Sequence, residues 1–320
     1  MGWILKNRWV ISLVFTVFLI VSVSIVFWLL KEADKPKVIA VVQRLDIEYW
    51  KSFKSGAQKA FEDFDIDGQV MAPSSLYPIT NQPDLLKKVL HQSPDALITA
   101  PTHPSVAYPI LMEYTKKNIP IILTTSGAEW KYQTAFIGTD NITLGKTAGM
   151  LLGSMLQPGD QVAIIHGRVD DGIMIDRKNS AKEVLEEIGI EIVVEQLGYD
   201  HFGNPIPVME SVLHHYPNLK GVVATTDRLA LEALKTIEKK RLNIPVIGTD
   251  GLTEIVESVD SGKIDATLSQ NPYDMGYLSV EQAYKAIKGE HIQQRIDSGV
   301  DIITADNSKE RLSFLKKTVH

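Results

Sequence analysis

Cysteine is absent from the 320 residues. That absence excludes disulfides, thiolate metal sites and cysteine nucleophiles, and it removes the lipid-bearing cysteine that tethers many surface proteins. Basic charge is also scarce. Lys and Arg number 33 against 39 Asp and Glu, giving a net charge of −6 and a pI near 5.8, so nothing supplies a basic face for nucleic acid. No G-x-S-x-G elbow, Walker loop or G-x-G-x-x-G fingerprint occurs. His103, His166, His201 and the pair His214–His215 lack metal spacing such as H-E-x-x-H. Asp63-x-Asp65-x-Asp67-Gly68 begins like a calcium loop, but its twelfth position is Ser74, where a bidentate glutamate is needed. The reading is therefore not an enzyme, with no metal and no cofactor.

What the chain does have is one long uncharged run, residues 9–30 (WVISLVFTVFLIVSVSIVFWLL). At about 1.5 Å per residue such a helix spans ~33 Å, enough for a bilayer core of about 30 Å. Trp3, Trp9 and Trp28 sit near its ends, where indoles favour the interface. Lys6 and Arg8 precede it, while Lys31, Lys35 and Lys37 follow, so charge bias alone does not set orientation. A cleaved signal peptide is the competing reading; the length of the run and the lack of a small-x-small site favour an uncleaved anchor. The expected layout is a cytoplasmic N-terminus (1–8), a transmembrane helix (9–30) and a linker (31–36) whose proline stops the helix. The binding domain would lie outside the cell membrane.

Beyond the linker, short β-branched runs alternate with amphipathic stretches. VIAVVQ (38–43), ALIT (96–99), IPIILT (119–124), AFIG (135–138), QVAIIH (161–166), IEIVVE (190–195), GVVAT (221–225), IPVIGT (244–249) and ATLS (266–269) read as buried strands. Helical spacing predicts helices near 49–64, 82–91, 105–117, 142–156, 174–188, 204–215, 228–240, 252–261 and 274–288. Such alternation means parallel sheets with helices on both faces, joined by right-handed crossovers. Size favours two lobes over one wide sheet. In AFIGTDNITLGKTAGMLL, either Asp140 or Asn141 could cap the helix that follows. Asn141-Ile-Thr also fits a glycosylation triplet, a pattern that arises easily by chance.

These segments resemble a known family. VIAVVQRLDIEYWKSFKSGAQKAFEDF is similar to the opening strand and helix of the ribose-, galactose- and xylose-type periplasmic sugar-binding proteins. IPIILT with IGTDNITLGKTAG, GVVATTDRLALEALKTI, and IPVIGTDGLTEIVESVDSGKIDATLSQNPYDMGYLSVEQA resemble that family's later blocks, in the same order. The resemblance covers about residues 37–305. It implies an α/β fold of two doubly wound parallel-sheet lobes joined by a three-segment hinge, with a transmembrane helix ahead of them here. The first lobe would hold 37–139 plus 272–299, the second 140–271 plus 300–306, with 307–320 a C-terminal tail. Regulators of the same fold carry a DNA-binding helix-turn-helix where this chain has its apolar run.

A sugar site needs flat rings for C–H faces and fixed polar groups for hydroxyls. The resemblance places Tyr49, Trp50, Tyr199, Asp250 and Gln270 in such a site. At positions where relatives carry an Asp-Arg pair and an asparagine, this chain has Thr125, Ser126 and Thr226. The arginine expected in the second lobe falls on Ile175 or, farther along the same helix, on Arg177, for which packing or ion pairing is the plainer role. Glu48, Glu129, Trp130, Asp170 and Asp171 lie on loops at the right edge and could substitute. The expected function is a membrane-anchored solute-binding protein, the solute being a sugar or related polyol, that closes on ligand and signals to a sensor histidine kinase. Some helix-anchored relatives of the xylose-binding type serve kinases in this way. The alternative is the binding component of an ATP-driven importer, with a permease as partner.

Overall fold

The computed structural model describes residues 8–32, 35–75, 79–127, 130–168, 172–199 and 204–319, with side chains of the first helix described at 12–24. That helix, α1 (Arg8–Glu32), runs unbroken for 25 residues. Among the described residues no helix is long and apolar enough to cross a membrane. Trp3 and the side chains of Trp9 and Trp28 lie outside the described residues. Within the described stretch Leu13, Phe15 and Phe18 are 67%, 67% and 70% exposed.

The remainder runs β1 (Lys37–Val41), α2 (Glu48–Asp63), β2 (Asp67–Met71), α3 (Asn81–Leu90), β3 (Ala96–Thr99), α4 (Pro104–Lys116), β4 (Ile121–Thr124), β5 (Ala135–Gly138), α5 (Asn141–Gly153), β6 (Gln161–His166), α6 (Gly172–Glu187), β7 (Glu191–Leu197), α7 (Met209–His215), β8 (Leu219–Ala224), α8 (Asp227–Lys239), β9 (Val246–Ile247), β10 (Thr249–Asp250), α9 (Thr253–Asp260), β11 (Ala266–Gln270), α10 (Pro272–Lys288), β12 (Arg295–Asp297), β13 (Val300–Thr304) and α11 (Ser308–Thr318).

Two parallel sheets carry the molecule. The first has the order β12-β5-β4-β3-β1-β2 and the second β7-β6-β8-β9. In each, the strand order reverses at one strand, β1 in the first and β6 in the second. Such a reversal splays the following loops apart and leaves a crevice beyond the carboxyl ends of the strands. Strands β1, β3, β4 and β5 are buried nearly throughout because helices cover both faces; their unbroken apolar runs are the sequence signature of that position.

Helix α2 packs its apolar stripe, Trp50, Phe53, Ala57, Ala60 and Phe61, onto the first sheet beside Met275 and Val280 of α10. Burying a side chain such as Phe53 contributes about 1.5–3 kcal/mol. The two helices touch through glycines. A Cβ on Gly56 would meet the Tyr273 carbonyl oxygen at 1.9 Å, and one on Gly276 would meet that of Phe53 at 2.1 Å. Three crossings join the sheets: β5 into α5, β11 into α10, and β12 into β13.

Several expectations needed correction. IPVIGT is not one strand: Gly248 divides it into β9 in the second sheet and β10 in a small third sheet, β10-β11-β13. There β13 runs antiparallel to β11, so the fold is not wholly parallel. The helix expected from 204 begins only at Met209; Pro205 and Pro207 break the register before it, and Pro205 instead bridges Tyr199. Residues 307–320 are not a free tail. Helix α11 buries Leu315 in the core of the second lobe, donates from Ser308 to Asp260 at 2.8 Å, and accepts at the Thr318 carbonyl from Ser55 of α2.

Candidate functional site

Between the two sheets, at the tips of β5, β10 and β11, polar side chains from both lobes converge. The arrangement starts at α5. Its N-cap is Asp140, which accepts from the backbone N–H groups of Ile142 and Thr143, each at 3.1 Å. Capping by Asp140 frees Asn141, whose Oδ1 accepts from Arg177 Nε at 2.8 Å. Helix α6 lies close enough for this because α5 carries Gly145 at the contact, where a Cβ would meet the Arg177 carbonyl oxygen at 2.4 Å.

From that anchor the Arg177 guanidinium donates through Nη1 to the Thr225 carbonyl at 2.9 Å and to Asp250 Oδ1 at 3.3 Å. Its side chain is only 4% exposed, and that of Asp250 is 14% exposed. The ion-pairing role open to Arg177 in the sequence is the one it takes. Arg177 is an ion-paired, buried donor two residues along the helix from Ile175. Asp250 also accepts from Gln270 Nε2 at 2.7 Å and, through Oδ2, from the Asp227 backbone N–H at 3.2 Å. Gln270 Oε1 accepts from Thr139 at 3.0 Å and Tyr49 Oη at 3.5 Å. Thus Tyr49, Thr139, Asn141, Arg177, Asp250 and Gln270 form one continuous hydrogen-bonded set.

Burial governs their titration. It raises Asp250 above the ordinary carboxylate range even though Arg177 pulls the other way. Asp227, fully buried at the start of α8, is pushed up to about 8, by burial first and by the Asp250 charge second. Its carboxylate accepts from the Leu252 N–H at 2.7 Å and Thr267 Oγ1 at 3.3 Å, which pins the loop following Asp250. Burial likewise raises Tyr49 and Tyr199 to about 12, so both phenols stay neutral donors.

The remaining predicted positions divide. Tyr199 donates to or accepts from Thr226 Oγ1 at 2.8 Å, with Arg228 over its ring at 5.7 Å. Thr226 also caps α8, accepting from Leu229 N–H at 3.4 Å. Thr125 stands at the tip of β4 with φ of 64°, a left-handed conformation that a β-branched residue adopts only under constraint. Three others are turned to packing. Trp50 is 3% exposed and stacks edge-on against Phe53 in the first core. Ser126 donates to the Pro101 carbonyl at 2.7 Å. Trp130 is stacked on Tyr108, with centroids 5.5 Å apart. Glu48 does not face the convergent set either: it accepts from Thr253 N–H at 2.8 Å and Thr253 Oγ1 at 2.7 Å. Asp171, with Glu129, Asp170 and His201, lies outside the described residues.

Sequence reasoning missed Thr139, Asn141 and Asp227 as members of the site. Only the paired capping candidates Asp140–Asn141 signalled one of them, since a helix start needs one cap and leaves the other residue free. In the acidic run at Asp63–Gly68, Asp63 and Asp65 are ion-paired with Lys59 and Lys35. Beside the crossing a cavity of about 280 Å³ is lined from both lobes, by Thr125, Phe136, Thr139, Asn141, Asp176 and Arg295 among others.

A sequence model of the periplasmic binding protein domain matches residues 38–291. The ribose import binding protein of Haemophilus influenzae is 25% identical over 272 residues, 83% of this chain and 91% of that protein. The D-allose-binding periplasmic protein of Escherichia coli is 25% identical over 78% of this chain and 83% of its own length. Among solved structures, a glucose-galactose binding protein from Geobacillus stearothermophilus superposes with a TM-score of 0.78 at 25% identity, covering 86% of this chain and 99% of that one. These relatives are binding proteins, not enzymes.

Proposed function

The chain belongs to the periplasmic binding protein family, and from that premise we propose that it is a membrane-anchored, extracytoplasmic sugar-binding protein that reports occupancy to a membrane sensor kinase. One observation carries the binding half: a buried, mutually hydrogen-bonded set spanning both lobes at the strand tips. An entering polyol can exchange its hydroxyls for bonds these groups now make to one another. Asp250 would accept from hydroxyls and Arg177 would donate to hydroxyl or ring oxygen. The ribose, allose and glucose-galactose binding named in the relatives supports a monosaccharide or polyol.

The anchor is proposed from the sequence, the uncharged run 9–30, and from the exposed apolar side chains along 12–24. Apolar side chains exposed in a continuous band call for lipid or a partner helix. The tether supports sensing. Only four residues separate the end of α1 from β1, a reach of ~14 Å. β1 begins at the tether and its carboxyl end leads to the loop before Tyr49, so the tether joins the first lobe at the opposite end of β1 from the site. A delivery protein must dock and leave, which a short rigid tether hinders; such a tether suits a fixed complex with a membrane partner. The importer reading retains its own support, since the relatives include import binding proteins.

Crosslinking the full-length chain in native membranes, followed by mass spectrometry of its partners, separates the two. Recovery of a histidine kinase is expected; recovery of permease subunits without a kinase would overturn the sensing assignment in favour of import.

A further inference from the structure

Helix α9 begins without a cap of its own. The residue at its N-cap, Leu252, has no side-chain acceptor, and Thr253 follows as the first helical residue. Unsatisfied N–H groups at a helix start require an acceptor. Here it comes from the other lobe: Glu48, in the first turn of α2, accepts from Thr253 N–H at 2.8 Å and from Thr253 Oγ1 at 2.7 Å. A carboxylate at a helix N-terminus also interacts favourably with the helix dipole.

The same flank carries two further ties. Ser55, two turns along α2, donates to the Thr318 carbonyl at the end of α11. Arg311 of α11 donates to the Gln270 carbonyl at 3.1 Å; burial lowers its pKa, and the charges of Asp301, Glu48, Asp227 and Asp274 offset this only in part. Helix α11 lies beyond the segment matched by the family model, which ends at residue 291.

We propose that Glu48 is a closure-positioning residue: it caps α9 across the cleft, so that the arrangement of the lobes seen here is stabilised by a contact that no ligand makes. Opening the lobes would return the carboxylate and both Thr253 donors to water. A contact present only in the closed state raises the closed population and tightens apparent affinity for every ligand by one common factor. Binding affinity is then set partly outside the crevice. This rests on the solute-binding reading, but its primary test does not.

The absence of native cysteine lets spin labels be placed on exposed positions of the two lobes, through Lys88→Cys and Lys240→Cys in the full-length chain in detergent. Interlobe distances are then measured without added ligand. Glu48→Ala is expected to broaden and lengthen the distribution. Glu48→Gln, whose amide oxygen keeps both acceptor bonds, is expected to retain the parent distribution. Thr253→Val should act in the same direction as Glu48→Ala and add little to it in the double variant. For sugars that bind, Glu48→Ala should weaken affinity by about tenfold, equally for each. Unchanged ligand-free distances in Glu48→Ala would overturn the proposal. So would an affinity loss confined to one sugar with distances unaltered, because that makes Glu48 a ligand contact. If no sugar binds, the solute reading fails, and the ligand-free distances still decide the role of Glu48.

Discussion

Gln270 donates from Nε2 to Asp250 at 2.7 Å while its Oε1 accepts from Thr139 at 3.0 Å, so one side chain in a crossing strand joins the acidic end of the site to the first lobe. The amide is suited to this because it presents a donor and an acceptor at once. Replacing it by glutamate sets two carboxylates side by side, and like charges in a buried place cannot both ionise. Gln270→Glu is therefore expected to weaken sugar binding by about tenfold or more at pH 8, with recovery toward pH 5 as one carboxyl takes a proton. Calorimetry at the two pH values checks this; an affinity loss independent of pH would contradict it.

Arg177 is held at both ends, by Asn141 on Nε and by Thr225 and Asp250 on Nη1. A lysine ammonium is a single point donor and cannot hold Asn141 and Asp250 together. Arg177→Lys is expected to lower affinity by about tenfold with a small loss of thermal stability. Arg177→Met leaves Asp250 buried without its counter-charge and is expected to cost about 3–5 kcal/mol of stability. Thermal denaturation beside calorimetry distinguishes the two effects. Parent-like binding by Arg177→Lys would remove the guanidinium fork from the site.

Asp227 gives the fold a pH dependence of definite sign. Its folded pKa is raised to about 8 from an ordinary 3.8, so between those values the folded state holds the proton more tightly than the unfolded chain. The resulting contribution is complete below about 3.8, declines as pH rises, and is gone above about 8. Melting temperature should fall from pH 5 to pH 9, and Asp227→Asn, which cannot ionise, should flatten that slope. A slope unchanged in Asp227→Asn would assign it to other groups.

The parallel-sheet architecture was readable because it is written in composition: strands buried on both faces need short unbroken apolar runs, and ALIT, AFIG and the VAII of QVAIIH are such runs. The crossing at Asp140–Asn141 was readable only as an unresolved choice, since either residue caps a helix equally well until Arg177 selects Asn141. Asp250 and Gln270 were named through family resemblance, and the structure places them within one hydrogen bond of each other. Arg177 was undervalued because linear spacing put the expected arginine at Ile175, whereas the face turned to the crevice is the one two residues on, about 200° around the helix. Trp50 and Trp130 misled for the opposite reason. An aromatic ring near a strand tip fits a binding face and a core equally well on paper, and only packing against Phe53 and Tyr108 decides. Glu48 could not have been read from the sequence, because its partner Thr253 lies 205 residues away.

The most direct test of the account is calorimetric titration of the full-length chain and its Asp250→Asn variant with a panel of pentoses, hexoses and polyols. The prediction is that at least one sugar binds the parent chain and loses about tenfold or more in affinity to the variant, since a buried hydroxyl would lose its charged acceptor. A sugar bound equally well by both proteins, or no binding across the panel, would contradict it.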